Sequence, residues 1–269
     1  MHLTEKRIGF IGTGKMGESL IRGILAAHSE ITLNASDVYK PALERLNNEL
    51  GINVSTDNTE TIGDSDVVVL AVKPQILKDV LVAIKDSITA DKLVISIAAG
   101  VSVTAIEDEL NEGTRVVRVM PNIAATVAEA ASAVCAGKNA TEDDMEVALE
   151  MFQSIGSAIT IPEKLMDAVT GLSGSGPAYI FPVIEALADG AVHEGLDRAN
   201  AITLAAQTVL GAAKMVLETG MHPGELKDMV TSPAGTTIRG IHTLEESGIR
   251  AAFMNAVIES SKRSKELGK

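Results

Sequence analysis

Between Arg7 and Pro162 the chain alternates short β-branched apolar runs with amphipathic stretches, and this rhythm is what most narrows its folds. Arg7–Ile11, Ile31–Ala35, Asp66–Val72, Lys92–Ala98 and Arg115–Met120 read as strands, with shorter ones at Ala133–Ala136 and Ala158–Ile161. Lys15–Ala27, Pro41–Leu50, the segment opened by Pro74 and the segment ending near Ser154 read as helices. Thr141, with Asp144 three residues on, resembles a capping box for the last of these. Strands apolar on both faces and separated by helices belong to a parallel sheet covered on both sides. After Pro162 the rhythm stops. Glu163–Thr170, Pro177–Glu194, Arg198–Thr219, Pro223–Val230, Ala234–Ser247 and Ile249–Lys265 read as successive helices. The expected plan is an α/β parallel-sheet domain over residues 1–162, followed by an all-helical domain over 163–269.

Gly12-Thr13-Gly14-Lys15-Met16-Gly17 is G-x-G-x-x-G, set between the first strand and the first helix. The pattern alone is weak in a chain with 23 Gly, and its position gives it meaning. The first Gly permits the tight turn, the second lets backbone approach a pyrophosphate, and the third lets helix pack on strand. The domain is therefore expected to be of Rossmann type, with Gly12, Thr13, Gly14, Lys15 and Met16 at a dinucleotide. The second strand ends in neutral Asn34-Ala35-Ser36 rather than the acid usual at an NAD site. Ser36 admits a 2′-phosphate or is a plain turn residue, and Asp37, if it turns inward, opposes that phosphate. NADPH is the favoured cofactor, with NADH the alternative. Ala71-Val72-Lys73-Pro74 and Met120-Pro121-Asn122 end strands on the edge where ligands collect in such sheets. Asn58 is read as the cap of a short helix facing the adenosine end.

Gly171-Leu172-Ser173-Gly174-Ser175-Gly176-Pro177 leads into the helix at Pro177–Glu194, which is apolar on nearly every side. A helix of that kind is buried all round, as a central core helix or in a subunit interface, and the interface is preferred here. Ser232-Pro233-Ala234-Gly235-Thr236-Thr237 opens another helix with three hydroxyls, more than capping needs. Free N–H groups at such a start suit a carboxylate.

The formal charge of −13 is spread without a basic stripe, so nucleic acid is not an expected partner. Anionic ligands must then be held by local donors. One cysteine, Cys135, excludes an internal disulfide or a cysteine metal cage, and the five His lack metal spacing. The first seven residues lack the apolar core of a signal peptide, and no apolar run is read as long enough to span a bilayer. A cytoplasmic protein with no membrane partner is expected.

Ile8–Gly14, Ala71–Pro74, Thr170–Tyr179 and Gly224–Thr237 together resemble the Δ1-pyrroline-5-carboxylate reductase family, in family order and nearly end to end. The resemblance implies reduction of a small cyclic imine, pyrroline-5-carboxylate, to L-proline with NADPH or NADH. It also implies a homodimer intertwined through the helical domain, assembled into a larger ring of dimers, with the active site built from the Rossmann domain and helices supplied partly by the partner. By position, Ser232, Gly235, Thr236 and Thr237 would hold the substrate carboxylate, with Thr237 near the imine nitrogen and Ser175 nearby. Gly12, Gly14, Ser36, Asn58, Ala71, Lys73, Pro74 and the Met120-Pro121-Asn122 turn would hold the cofactor. Thr237 and Lys73 are the candidate catalytic residues.

Two other readings compete. A β-hydroxyacid dehydrogenase shares the plan, but its catalytic Lys would fall at Ile180 and its Asn at Ile184. A ketone or alcohol calls for a proton partner at oxygen, whereas a protonated imine already carries its activating charge and mainly needs orientation. A non-catalytic nucleotide-binding protein would show a degraded substrate loop, and Ser232–Thr237 is intact.

Overall fold

The computed structural model describes residues 3–268; the readings that involve Met1, His2 and Lys269 lie outside them. Eight strands form one sheet in the order β3-β2-β1-β4-β5-β6-β7-β8. They are β1 (Arg7–Ile11), β2 (Thr32–Ser36), β3 (Asn53–Ser55), β4 (Val67–Leu70), β5 (Leu93–Ser96), β6 (Arg115–Met120), β7 (Ala130–Ala136) and β8 (Gly156–Thr160). The first six run parallel. β7 pairs antiparallel with β6, and β8 runs parallel to β7. The expected Rossmann-type parallel sheet is thus present, extended at one edge by a single antiparallel pairing. The chain turns back through a 3-10 segment, Ile123–Val127, too short for the helical crossover that another parallel strand would need.

The intervening helices are α1 (Lys15–Ala27), α2 (Lys40–Leu50), α3 (Asn58–Gly63), α4 (Pro74–Ile84), α5 (Val103–Glu107) and α6 (Glu142–Gln153). Alternate residues of one strand serve opposite faces, as the pleat requires. Val67 and Val69 join Phe10, Leu20, Ile24, Leu46 and Phe152 on one side. Val68 and Leu70 join Ile62, Leu77, Leu81 and Ile106 on the other. The Thr141–Asp144 capping box that opens α6 is formed in full.

Past β8 a 3-10 turn, Glu163–Leu165, leads through α7 (Met166–Val169) into one turn of π-helix, Thr170–Gly174. Then come α8 (Gly176–His193), α9 (Arg198–Thr219), α10 (Pro223–Met229), α11 (Thr236–Glu246) and α12 (Ile249–Leu267). Packing divides the chain into two compact units at other places than the sequence boundary. Met1–Ser175 groups with Glu259–Lys269, and Gly176–Ile258 forms the second unit. The shift arises because α7, the π-turn and the end of α12 cling to the sheet. Met166 is fully buried in its apolar layer, and the Ser264 hydroxyl donates to Asp167 Oδ1 at 2.6 Å.

Within the helical unit the buried cluster is Ala188, Ala201 and Ala205, where α8 meets α9. Phe181, Leu204 and Leu217 are 62%, 58% and 81% exposed. Small residues let the two helices approach closely while their larger apolar side chains face outward. By length and composition α9 is long and apolar enough to cross a membrane, contrary to the sequence reading. Its alanines raise mean hydropathy without making a continuous run of large apolar residues.

Candidate active site

The glycine turn sits where β1 leaves the sheet between β2 and β4, the point at which chain order reverses and where such sheets bind ligands. Gly12 has φ +102°, and a Cβ there would lie 2.8 Å from Ala71 O. Gly17 is as constrained: a Cβ would meet Gly12 O at 2.3 Å. Around Gly14 a Cβ would meet nothing within 4 Å, so its backbone is open to approach. Gly14 also caps α1 with no side-chain bond, which leaves the first N–H groups of that helix available to an anion.

Gly12, Gly14, Ser36, Asn58, Ala71 and Lys73 line one cleft of about 480 Å3. Lys73, exposed at the start of α4, is the one cation among its lining residues. These residues, spread from position 12 to position 73, are brought together in one cleft. The local details differ. Ser36 is fully buried, and its hydroxyl donates to Asn58 Oδ1 at 2.7 Å. Asn58 does not cap α3; Asp57 does, accepting from Thr59 N at 2.8 Å, because the acid one residue earlier sits where the backbone is still extended. Asp37 turns inward: its Oδ2 accepts from Thr13 N at 2.7 Å and from Thr13 Oγ1 at 3.0 Å.

The side chains of Lys15 and Met16 are not among those lining the cleft. Lys15 borders a groove between α1 and the Ile123–Val127 segment, and Met16 packs against the core. What these two positions offer a phosphate is their uncapped backbone amides. Pro121 and Asn122 are buried. Asn122 Nδ2 donates to Ser173 O at 3.0 Å, and its Oδ1 accepts from Ala124 N at 3.2 Å and Ala131 N at 3.4 Å. With both ends of its amide engaged, Asn122 is a brace between the end of β6 and the π-turn rather than a free ligand group. Met120 reaches the same turn, since a Cβ on Gly174 would lie 2.6 Å from its Cε.

Pro74 and Ser175 border a second cavity of about 480 Å3 with Gln75, Gly100, Thr170 and Arg263. The Ser175 hydroxyl lies 2.9 Å from that of Ser260. The π-turn is thus pinned by Asn122, by Ser260 and, through Asp167, by Ser264. A π-turn is rare and concentrates at functional positions. Sequence reasoning missed Ser260 and Ser264; hydroxyls four apart on one helix face were the available signal.

A buried charge lies on the same face of the sheet. Arg118, 5% exposed, donates from Nη1 to Glu163 Oε1 at 3.2 Å, while its Nη2 has no partner. Glu163 also accepts from Val103 N at 2.5 Å. Across the ladder from Arg118, burial pushes the Cys135 thiol up to about 11, and the Glu163 carboxylate adds to the shift, so this sulfur is no nucleophile.

In the helical unit, Gly235 caps α11 with no side-chain bond. A Cβ at Gly235 would sit 2.3 Å from Ser232 Oγ, and Gly235 N donates to Ser232 O at 3.1 Å. Ala234 before it has φ +57°, a left-handed conformation unfavourable for alanine by about 1 kcal/mol. Ser232 and Thr236 are exposed and Thr237 half-buried. A strained turn ahead of an uncapped helix start leaves several N–H groups and three hydroxyls for an acid. Lys73 belongs to the sheet unit and Thr237 to the helical one.

A glycine turn at the switch point of a mostly parallel sheet, followed by an uncapped helix, defines a dinucleotide-binding protein of the Rossmann class. The comparisons narrow this. Residues 163–267 match the model described as pyrroline-5-carboxylate reductase dimerisation, and residues 7–100 match that described as NADP oxidoreductase, coenzyme F420-dependent. The pyrroline-5-carboxylate reductase of Methanosarcina acetivorans is 67% identical over 269 residues, covering 99% of this chain and 100% of that protein. Among solved structures, the pyrroline-5-carboxylate reductase from Coxiella burnetii superposes with a TM-score of 0.93 at 36% identity, over 98% of this chain and 99% of that one. The Plasmodium falciparum pyrroline carboxylate reductase with NADP bound gives 0.88 at 34% identity, over 99% of each. The chain belongs to the pyrroline-5-carboxylate reductase family.

Proposed function

We propose that this protein reduces 1-pyrroline-5-carboxylate to L-proline, the last step of proline biosynthesis, using NADPH, with NADH the second donor. The observation that carries the reading is an end-to-end likeness to reductases of that substrate, with the glycine turn and the 232–237 turn both intact. When bound, the reduced nicotinamide supplies the hydride that adds to the imine carbon. The chain's own residues bind and orient. The amides of Gly14, Lys15 and Met16 at the start of α1 take the pyrophosphate, and Ser36, Asn58 and Lys73 serve the adenosine ribose and its phosphate. The free N–H groups at the start of α11, with Ser232, Gly235 and Thr236, hold the substrate carboxylate. The Thr237 hydroxyl hydrogen-bonds the ring nitrogen, which ends as the secondary amine. An iminium carries its own activating charge, so positioning supplies most of the rate. A net charge of −13 makes such local grips necessary for an anionic substrate.

The protein acts as a homodimer through its helical unit, and a ring of dimers is the larger assembly. The exposed large apolar side chains of α8 and α9, among them Phe181, Leu187, Leu204, Leu210 and Leu217, support this reading, since so many on two adjacent helices call for cover.

The test is loss of NADPH absorbance on adding pyrroline-5-carboxylate, with proline identified as product. Turnover of 3-hydroxyisobutyrate with NADP+ and none with the imine would instead establish a hydroxyacid dehydrogenase. Nucleotide binding without turnover of either would establish a silent nucleotide-binding protein.

A further inference from the structure

The rim of the dinucleotide cleft carries a fixed negative charge that the glycine turn does not need for its own geometry. Asp37 follows β2 directly and is half-buried. Its Oδ2 takes the two bonds from Thr13, and its Oδ1 accepts from Tyr39 N at 3.0 Å. Two backbone amides and a hydroxyl therefore hold both oxygens, and the carboxylate cannot swing away as an exposed acid would. It lines the cleft beside Ser36, Val38 and Asn58. The cleft's lysine, Lys73, follows β4, which β1 separates from β2. At the β2 end the cleft thus presents a carboxylate and a neutral, already engaged Ser36–Asn58 pair.

Resting on the reading of this cleft as the dinucleotide site, we propose that Asp37 sets the discrimination between the two nicotinamide dinucleotides. Its carboxylate accepts from the ribose 2′-hydroxyl of NADH and repels the 2′-phosphate of NADPH. NADH is thereby kept in use by a chain whose Lys73 and Ser36 admit NADPH. A ribose hydroxyl donates naturally to a held carboxylate, whereas a phosphate brought beside the same group meets like charge in a partly desolvated cleft.

Titration calorimetry of NADP+ and NAD+ into the full-length protein, without imine, tests this. Asp37→Asn preserves an acceptor for Thr13 and removes the charge. The ratio of the NAD+ to the NADP+ dissociation constant is expected to rise at least roughly tenfold, a value between the bulk-water and protein-surface scales for one unit charge a few ångströms away. An unchanged ratio overturns the proposal, as does equal weakening of both nucleotides, which would make Asp37 only a brace of the turn. Asp37→Ser, measured in the same way, decides the matter if the Asn variant fails to fold. Absence of imine from the cell separates the outcomes: a wild-type protein that binds neither nucleotide overturns the cleft reading itself, whatever the substrate.

Discussion

Asn122 illustrates how a side chain can matter to a site without touching a ligand. Its amide satisfies a carbonyl on the π-turn and two backbone N–H groups beside the end of β6. Asn122→Ala leaves these part-buried groups without their side-chain partner, at about 1 kcal/mol for such a loss. A lower urea midpoint with an unchanged slope is the expected result; an unshifted midpoint would mean that water replaces the amide without cost. The sequence marked Asn122 as a cofactor position on a strand end at the ligand edge, with no sign of the bonds its amide makes within the chain. Whether an amide points at a cofactor or back into its own turn depends on partners fifty residues away. Ser36 and Asp37 teach the same lesson. Both line the cleft, Ser36 bonded to Asn58 and Asp37 to Thr13, and only the fold decides which partner engages each. By contrast, Gly12 and Gly17 were legible because the backbone approach that excludes a Cβ is the same constraint that produces the motif.

The elements of the sheet unit followed from pattern wherever burial on both faces enforces β-branched runs. β3, three residues long, offered too little sequence to see. The reversal at β7 was hidden because a strand buried on both faces has one composition in either direction. The packing of α1 on the turn yields a prediction at this scale. Gly17→Ala places a methyl 2.3 Å from Gly12 O and 3.2 Å from Ala71 Cβ, overpacking of a kind that costs about 1–3 kcal/mol. Helix content by circular dichroism is expected to persist while NADP+ affinity falls; retained affinity would show that α1 slides without disturbing the turn.

Charge also ties elements together. Glu18 on α1 accepts from Arg45 on α2 at 2.6 and 2.7 Å and from Arg22 at 2.9 Å, and these guanidinium bonds hold its carboxyl down at about 2. Arg7 does the same for Asp66 before β4, through a side-chain bond of 2.8 Å and its backbone N–H, also to about 2. Both groups have folded values below their unfolded ones near 4. The stability they add is therefore complete only above about pH 5 and is lost progressively as the pH falls towards 2. Urea midpoints measured down that range should decline, and less steeply in Glu18→Gln. A flat profile would show that screening has erased these exposed contacts.

For the whole molecule, the helical unit's buried cluster is three alanines, and many of its larger apolar side chains face outward. Linkage then predicts that the melting temperature rises with protein concentration, because the dimer forms from folded chains. A melting temperature independent of concentration would mean that these faces remain bare. This surface was only half legible. The all-round apolarity of Pro177–Glu194 signalled a helix needing cover, but composition alone cannot separate cover from within the chain from cover by a second copy.

The order of the chain through its two units has a consequence for biosynthesis. The sheet unit draws on residues before Gly176 and again on those after Ile258, where Ser260 and Ser264 meet Ser175 and Asp167. Emerging from a ribosome, the nucleotide-binding half stays open-seamed while more than eighty residues of helix pass through the tunnel. Its π-turn acquires its last clasps only afterwards. Nascent chains arrested before residue 259 should therefore expose that segment to protease, although every strand of the sheet is already made.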